Sequence, residues 1–396
     1  MSLTNTPNAN RLHIALFGRR NSGKSSLVNA LTGQDTALVS DTPGTTTDLV
    51  SKAMEMQGIG PCLFIDTPGF DDEGELGELR VSRTLKAIEK TDIALLLCGD
   101  TTFSHEKEML ALLKEKNIPV IPVLNKIDIR ENSDHLATYI EEQCKISPLL
   151  ISAKEKIGIE LIRQAILEKL PSDFGQQNIT GKLVAENGLV LLVMPQDIQA
   201  PKGRLILPQV QTIRELLDKK CLVMTCTTDK FSATLQALAR PPKLIITDSQ
   251  VFKAIYEQKP KESELTSFSV LFAGYKGDIH YYVESAAVIE RLTESSRVLI
   301  AEACTHAPLS EDIGRVKLPR LLRKRIGENL QIDMVTGTDF PQDLTPYSLV
   351  IHCGACMFNR KYVLSRIERV REQHIPMTNY GVAIAFLNGI LDQIKY

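Results

Sequence analysis

Short apolar runs alternate along this chain with longer stretches in which apolar positions recur every three or four residues. The short runs are typical of buried strands, and the periodic stretches are typical of amphipathic helices. In the N-terminal part, strands are predicted at residues 12–17, 63–65, 93–98, 120–124 and 149–151. Because strands that alternate with helices favour parallel sheets covered by helices, the predicted fold class is α/β.

Two polar stretches that contain helix-breaking residues divide the rest of the chain, at 171–181 and 258–265. Further strands are predicted at 189–194, 222–226, 244–247, 268–272, 298–301, 332–335 and 349–351, and helices at 213–220, 231–239 and 361–370. We therefore predict an N-terminal nucleotide-binding domain at 1–172 and two smaller α/β domains with mostly parallel sheets, at 173–262 and 263–396. The middle domain has no cluster of acids, histidines or cysteines, so structure or self-association is its predicted role.

The charge balance narrows the class of partner. The chain of 396 residues has 46 Lys and Arg against 48 Asp and Glu, a net charge of −2. Proteins that bind nucleic acids usually carry a basic excess, so no nucleic-acid partner is predicted. The polar N-terminus and the short apolar runs predict no signal peptide, no membrane span and a cytoplasmic location.

A phosphate-binding loop follows the first predicted strand. The segment from Gly18 to Ser25 reads GRRNSGKS, which matches the pattern GxxxxGKS, and a predicted helix follows it. In this loop the backbone N–H groups and the helix dipole face phosphates, Lys24 reaches the β and γ oxygens, and the Ser25 hydroxyl binds Mg²⁺. The other predicted nucleotide contacts of the loop are Asn21, Ser22, Gly23 and Ser26. Arg19 and Arg20 are expected on the loop surface.

Three further motifs follow predicted strands in the order that a GTP site requires. Asp66 ends a strand beside the phosphates and is predicted to hold Mg²⁺, with the Gly69 amide directed at the γ-phosphate. Asp128, in the segment Asn125-Lys126-Ile-Asp128, can accept hydrogen bonds from two guanine donors that adenine lacks, which selects GTP. Ser152, Ala153 and Lys154 complete the predicted base pocket. These motifs resemble those of translation-factor-type GTPases such as Era and the tRNA-modification GTPases, over residues 12–170.

Residues 41–48 have the form of a switch segment whose threonine closes on Mg²⁺ in the GTP state. Thr46 is the predicted ligand and Thr45 the second choice. The residue after Gly69 is Phe70, where Ras-like enzymes have the glutamine that orients water. Asn21 stands where potassium-activated GTPases have a K⁺-binding asparagine, and a loop-stabilising amide is the alternative for this residue. K⁺ is thus predicted to neutralise transition-state charge, with Lys24, Thr46 and Gly69 as the catalytic groups.

A group of cysteines and histidines follows two strands of the third domain. Cys304 and His306 come after one strand, and His352, Cys353 and Cys356 after another, so both groups leave the carboxyl ends of strands. An iron–sulfur cluster, a Cys₃His zinc site and a redox pair are all compatible with this spacing. In an iron–sulfur site the fourth position is open to a histidine, an external ligand or Glu311, for which a helix-start acid is the alternative.

The combination of CxH, a distant HCxxC and an N-terminal GTPase resembles the [FeFe]-hydrogenase maturation GTPases, the HydF family, over the entire chain. The resemblance implies [4Fe–4S] ligation by Cys304, Cys353 and Cys356, with His306 and His352 as the motif histidines. It implies a GTP-binding, a dimerisation and an iron–sulfur domain in the three segments above. It also implies a homo-oligomeric scaffold that receives a precursor of the two-iron subcluster from radical-SAM maturases and passes it to apo [FeFe]-hydrogenase.

The rival function is that of a GTPase in tRNA modification or ribosome assembly with a zinc-stabilised C-terminal domain. That function predicts a basic surface for RNA, which the near-neutral charge disfavours. A redox-gated GTPase with a disulfide between Cys353 and Cys356 is a third hypothesis.

Overall fold

A computed structural model describes residues 6–33, 50–69, 83–99, 103–171, 174–175, 177–195, 205–303 and 313–396. The chain forms two compact units, Met1–Phe174 and Gly175–Tyr396. The predicted ligands Thr46, Cys304, His306 and Glu311, together with Thr45 and Phe70, lie outside the described residues. No helix in the described ranges is long and apolar enough to cross a membrane.

The N-terminal unit is built on a six-stranded sheet. Its strands are β1 (Leu12–Gly18), β2 (Val50–Met56), β3 (Gly60–Asp66), β4 (Ile93–Cys98), β5 (Val120–Leu124) and β6 (Leu149–Leu150). They lie in the order β2-β3-β1-β4-β5-β6, and all pairs are parallel except β2 with β3. The helices whose two ends are described include α1 (Lys24–Thr32), α2 (Ser104–Glu115), α3 (Ser133–Cys144) and α4 (Ile159–Glu168).

Alternation along β1 explains why this sheet is buried on both faces. Leu12, Ile14 and Leu16 belong to the core cluster on one side, and Ala15 and Phe17 to the cluster on the other. A strand that is buried at every position fits a sheet with helices on both faces. The strands predicted from the sequence are all present, and β2 is an additional edge strand.

The C-terminal unit contains two four-stranded parallel sheets. The first has the order β10-β9-β7-β8, from β7 (Leu189–Val193), β8 (Leu222–Cys226), β9 (Leu244–Thr247) and β10 (Glu264–Ser267). The second has the order β12-β11-β13-β14, from β11 (Arg297–Glu302), β12 (Gln331–Thr336), β13 (Leu349–His352) and β14 (Met377–Asn379). The predicted α/β class with mostly parallel sheets is confirmed.

Helices connect and cover these two sheets. They are α5 (Leu207–Asp218), α6 (Phe231–Ala237), α7 (Phe252–Gln258), α8 (Phe268–Lys276), α9 (Ile279–Ala286), α10 (Leu318–Ile326), α11 (Arg360–Glu372) and α12 (Tyr380–Leu387). Because β10 pairs with β9, the first of the two sheets extends past residue 262, where the sequence predicts the end of the middle domain.

One predicted strand, at 268–272, is wrong, because this segment forms helix α8. The helix begins after Ser267, whose side chain accepts a hydrogen bond from the backbone N–H of Val270. Phe268 and Leu271 pack in one core cluster, and Val270 and Ala273 pack in another. A short helix that is buried on two sides is apolar all round, so its sequence has the same appearance as a buried strand.

The strand order reverses at one place in each of the three sheets, and in the middle sheet β7 lies between β9 and β8. In the first sheet β1 lies between β3 and β4, and in the last sheet β11 lies between β12 and β13. Open α/β sheets bind ligands in the crevice at the carboxyl ends of the strands at such a reversal. The predicted motifs follow β1 and β3 in the first sheet and β11 and β13 in the last sheet, so the crevices that concern them lie at the ends of these strands.

Candidate functional site

The phosphate loop joins the end of β1 to the start of α1. The Lys24 side chain is buried, and its Nζ donates hydrogen bonds to the carbonyl oxygens of Gly18, at 2.9 Å, and Arg19, at 2.8 Å. Gly23 has a φ of +93°, and a Cβ at this position would collide with the Asn125 amide. This close approach explains why the loop requires glycine immediately before the lysine.

Ser25 and Asp66 form a pair of oxygen ligands at the carboxyl end of the first sheet. The Ser25 hydroxyl donates a hydrogen bond of 2.5 Å to Asp66 Oδ2. Burial raises the pKa of Asp66, and the effect outweighs the opposing effects of the Ser25 hydrogen bond and the Lys24 charge. The other carboxylate oxygen, Oδ1, is buried and has no hydrogen-bond partner among the described residues. The same is true of Ser22 Oγ in the phosphate loop. A hard divalent cation would satisfy the Asp66 oxygen, so these residues fit Mg²⁺.

Asn125 holds three loops of the nucleotide site together. Its Nδ2 donates to the carbonyl oxygen of Ser22 at 3.1 Å. Its Oδ1 accepts from the backbone N–H groups of Lys126, at 2.8 Å, and Ala153, at 3.0 Å. A single buried amide therefore connects the phosphate loop to both segments of the predicted base pocket.

Asp128 is positioned as the acceptor for the base. The Ser152 hydroxyl donates to Asp128 Oδ1 at 2.6 Å, and this bond is the main cause of the lowered pKa of Asp128. The carboxylate is therefore ionised at neutral pH, and its exposure leaves it open to a ligand. Lys126 has a φ of +67°, and the Lys154 side chain is 80% exposed. The structure brings all four predicted segments to one edge of the sheet. Gly69 follows β3 at this edge, and Asn21 is exposed in the phosphate loop.

Arg19 is not the surface residue that the sequence predicts. Its guanidinium donates to both carboxylate oxygens of Glu106 in α2, at 3.0 and 3.2 Å. The Glu106 side chain is only 1% exposed. Glu106 precedes Met109, Leu110 and Leu113 on the buried face of α2, so an acid at a core position is the signal that reveals this pair.

The cysteine site lies at the reversal of the last sheet. Cys353 directly follows β13, and its Sγ accepts hydrogen bonds from the backbone N–H groups of Ala303, at 3.0 Å, and Ala355, at 3.4 Å. Ala303 directly follows β11 and precedes Cys304 in the chain. Backbone from both strands thus meets at one sulfur. Cys356 lies in the same loop, just before Asn359, whose side chain caps α11.

His352 is held inside the protein by both ring nitrogens. Arg366 donates to Nε2 at 2.8 Å, and because a guanidinium can only donate, Nδ1 carries the proton and donates to the Cys353 carbonyl oxygen at 2.7 Å. Burial and the Arg366 charge lower the pKa of His352 to about 3. In this arrangement His352 positions the cysteine loop, and ligation of iron would require the Arg366 hydrogen bond to break.

Of the predicted ligands, the described part of this site contains Cys353, Cys356 and His352, and both ring nitrogens of His352 are hydrogen-bonded. Within that part of the chain, no group of three or more His, Cys, Asp or Glu residues is arranged to hold a metal ion. The donors that are described fit a thiolate-bound cluster, because a sulfur that accepts two N–H bonds near a helix N-terminus is stabilised as a thiolate. Of the five other cysteines of the chain, Cys62, Cys98, Cys144 and Cys221 are buried and Cys226 is half-buried.

Comparison with known proteins places the fold and the site in a class. A family model described as "50S ribosome-binding GTPase" matches residues 13–126. The tRNA modification GTPase MnmE of Nitrosomonas europaea is 37% identical over 174 residues, which are 43% of this chain and 37% of that protein. GTPase Der of Wolinella succinogenes is 35% identical over 171 residues, 40% of this chain and 35% of that protein. The N-terminal unit is a P-loop GTPase domain, with GTP, GDP and Mg²⁺ as its ligands.

Two further models cover the C-terminal unit. "Hydrogen maturase F dimerization domain" matches residues 179–277, and "Hydrogen maturase F tetramerization domain" matches residues 280–395. The chain belongs to the hydrogen maturase F (HydF) family. It spans about a third of the length of the curated relatives that it matches. A crystal structure of Aquifex aeolicus Era bound to GDP and AlF₄⁻ aligns over 54% of this chain and 92% of that chain, with 20% identity and a TM-score of 0.35.

Proposed function

We propose that this protein is a GTP-hydrolysing scaffold that binds a [4Fe–4S] cluster through Cys304, Cys353 and Cys356. In this proposal it receives a precursor of the two-iron subcluster from radical-SAM maturases and delivers it to apo [FeFe]-hydrogenase. The observation that carries the proposal is the Cys353 sulfur, which accepts an N–H bond from each of two backbone segments at the strand reversal. Membership of the hydrogen maturase F family supports the same function.

The cysteine loop has the features that anionic sulfur ligands need. The Ala303 and Ala355 N–H groups stabilise negative charge on Cys353, and the N-terminus of the 13-residue helix α11 follows Cys356. An iron–sulfur cluster held there by three cysteines would supply one iron with a replaceable ligand. Such an iron suits a site that must pass on its cargo, whereas a structural zinc site is closed by four protein ligands.

The nucleotide site is proposed to act as a switch that changes contacts with partners. Lys24, Ser25 and Asp66 supply the groups for the phosphates and Mg²⁺, with Thr46 proposed as a further Mg²⁺ ligand. Asn21 is proposed to bind K⁺, because it is exposed in the phosphate loop with a φ of +58°. K⁺ at this position would neutralise charge that develops on the phosphates during hydrolysis.

A homo-oligomer is indicated by the descriptions of the two hydrogen maturase F models. We propose that copies pair through β8, the edge strand of the first C-terminal sheet. Leu222 and Met224 in this strand are 54% and 39% exposed. An apolar edge strand with free backbone groups is the kind of surface that pairs with another chain.

The test is Cys353→Ser in the full chain, prepared and reconstituted anaerobically with iron and sulfide. We expect loss of broad visible absorbance, loss of bound iron and loss of hydrogenase activation, while GTP turnover stays within about twofold of wild type, because the phosphate loop and the cysteines lie in different compact units. Cys221→Ser changes a cysteine of the C-terminal unit that lies outside both β8 and the loop of Cys353 and Cys356, so it is the control and should retain all of these properties.

The same preparation decides between iron and zinc. About four irons per wild-type chain support the cluster. One zinc per chain with a featureless spectrum would overturn the scaffold function. Loss of GTP turnover together with the iron would argue against the separation of the two activities.

A further inference from the structure

A buried lysine is hydrogen-bonded to the cysteine loop, which is the segment 353–359 between β13 and α11. Lys276 is the last residue of α8 and is only 1% exposed. Its Nζ donates to the carbonyl oxygens of Ala355, at 2.9 Å, Cys356, at 3.2 Å, and Phe358, at 2.6 Å. An ammonium group has three N–H donors, and all three acceptors here belong to the segment that contains Cys356.

Burial of a lysine charge is costly, and an apolar residue at the end of α8 would avoid that cost. Four earlier positions of α8, one to two turns before Lys276, are indeed apolar and buried: Val270, Leu271, Phe272 and Ala273. The charge at this position is therefore explained by its hydrogen bonds to the loop between β13 and α11.

The backbone of this loop is strained at Ala355, one of the three residues whose carbonyl oxygens accept from Lys276. Ala355 has a φ of +46°, in the left-handed region that disfavours residues with a Cβ. The Ala355 N–H donates to Cys353 Sγ, and its carbonyl oxygen accepts from Lys276. One peptide segment thus connects the ammonium group to the sulfur ligand, and the strained turn persists because both ends of Ala355 are bonded.

We propose that Lys276 is a positioning residue for the iron–sulfur site. It holds the segment from Cys353 to Phe358 in the conformation that presents both thiolates, and it places a positive charge beside an anionic cluster. This inference rests on the proposed function and extends it to a residue outside the ligand motif. Two effects follow: Lys276 strengthens cluster binding, and it raises the reduction potential of the cluster, because a nearby cation favours the more negative reduced state.

The experiment compares Lys276→Met and Lys276→Arg with wild type in the full chain. The matched control is Lys259→Met, because Lys259 also donates to two backbone carbonyls, of Pro260 and Ser263, in a loop that contains no cysteine. Three quantities are measured: amide hydrogen exchange of residues 353–359 in the metal-free protein, iron affinity during anaerobic reconstitution, and the midpoint potential from an EPR-monitored redox titration.

Lys276→Met is expected to speed exchange in the cysteine loop and to weaken iron binding about 10- to 100-fold, the effect typical of partners that orient metal ligands. It should also lower the midpoint potential. Lys276→Arg keeps the charge and should keep a potential close to wild type, with an intermediate loss of affinity because its planar group cannot match three acceptors around one nitrogen. Lys259→Met should leave all three quantities unchanged.

Unchanged exchange, affinity and potential in Lys276→Met would overturn the inference. Should Lys276→Met fail to fold, Lys276→Gln takes its place, with the same directions expected for all three quantities. A wild-type chain that binds no iron would defeat the proposed function, whereas the exchange measurement would still show whether Lys276 holds the loop.

Discussion

Three charged residues lie where helix patterns call for apolar side chains. Glu106 lies on the buried face of α2, Lys276 at the buried end of α8, and Arg366 on the buried face of α11 between Tyr362 and Ile367. Each of them is hydrogen-bonded to a residue at or just after the end of a central strand. Glu106 accepts from Arg19, Lys276 donates to Ala355, and Arg366 donates to His352. Partners of this kind offset the cost of a charge on a core face, although Arg366 Nε has no hydrogen-bond partner among the described residues, so these positions mark loops that must be rigid.

Arg366 shows how completely such a charge is enclosed. The central carbon of its guanidinium lies 4.7 Å from the ring centroid of Phe340 and 4.5 Å from that of Tyr362. The guanidinium also donates hydrogen bonds to the Gly337 carbonyl oxygen and the Tyr362 hydroxyl, as well as to His352. None of the described acids lies within ion-pair distance of it. The aromatic faces and neutral acceptors therefore replace the carboxylate that usually accompanies a buried arginine.

The pair of Arg19 with Glu106 gives a prediction at this scale. Arg19→Ala leaves the Glu106 carboxylate buried without its partner, so we expect the N-terminal unit to lose about 3 kcal/mol or more of unfolding free energy. The measurement is urea unfolding of the full chain, in which GDP should shift the transition of this unit.

The matched control for that prediction is Arg163→Ala. Arg163 pairs with Glu160 on the surface of α4, where Glu160 is 67% exposed. Exposed pairs contribute little, so this variant should lose less than about 1 kcal/mol. Equal losses in the two variants would show that the buried pair has no special role.

At the scale of elements, the ends and edges of strands decide what the sheets do. The phosphate loop follows β1, Asp66 ends β3, and Cys353 follows β13, so each candidate ligand lies at a carboxyl end. The edge strand β8 differs from these central strands because its side chains are largely exposed, although Leu222, Val223 and Met224 are all apolar.

Met224→Lys tests the role of β8 as an interface. We expect the variant to form smaller oligomers than wild type, because a charge on an edge strand opposes pairing with another strand. Light scattering coupled to size-exclusion chromatography measures the mass. Leu161→Lys, which changes a residue that is 47% exposed on α4, should keep the wild-type mass. If Met224→Lys keeps that mass too, the copies pair elsewhere.

At the scale of the molecule, the first and the last sheet each carry one candidate site, and each site lies at a strand reversal. The GTP site lies in the unit Met1–Phe174 and the cysteine site in the unit Gly175–Tyr396. Each unit has its own hydrophobic clusters. Each site can therefore form without the chemistry of the other, and any coupling must pass through a switch in conformation.

Lys24→Ala tests this independence from the nucleotide side. Loss of the ammonium that reaches the phosphates should reduce GTP turnover at least about 100-fold, as expected for loss of a preorganised charged group. Iron content after reconstitution should equal that of wild type, as it should in Lys107→Ala, a control at an exposed lysine of the same unit. Loss of iron in Lys24→Ala would show that the two sites form together.

The sequence by itself determined the class of fold and predicted the GTP site and the pair Cys353 and Cys356, because these depend on local patterns. Apolar runs specify buried strands, and the spacing of GxxxxGKS and NKxD is set by backbone geometry within a few residues. Edge strand β2 was missed because Val50–Met56 has neither a continuous apolar run nor strict alternation, and α8 was taken for a strand because it is buried on two sides.

Tertiary structure alone decided which distant residues meet. The bonds from Lys276 to Phe358, from Arg19 to Glu106 and from Arg366 to His352 join residues that are far apart or on separate elements. A single sequence records that a charge occupies a core-facing position, but its partner depends on strand order and helix packing. Those are properties of the whole fold, because they follow from the simultaneous burial of many apolar surfaces.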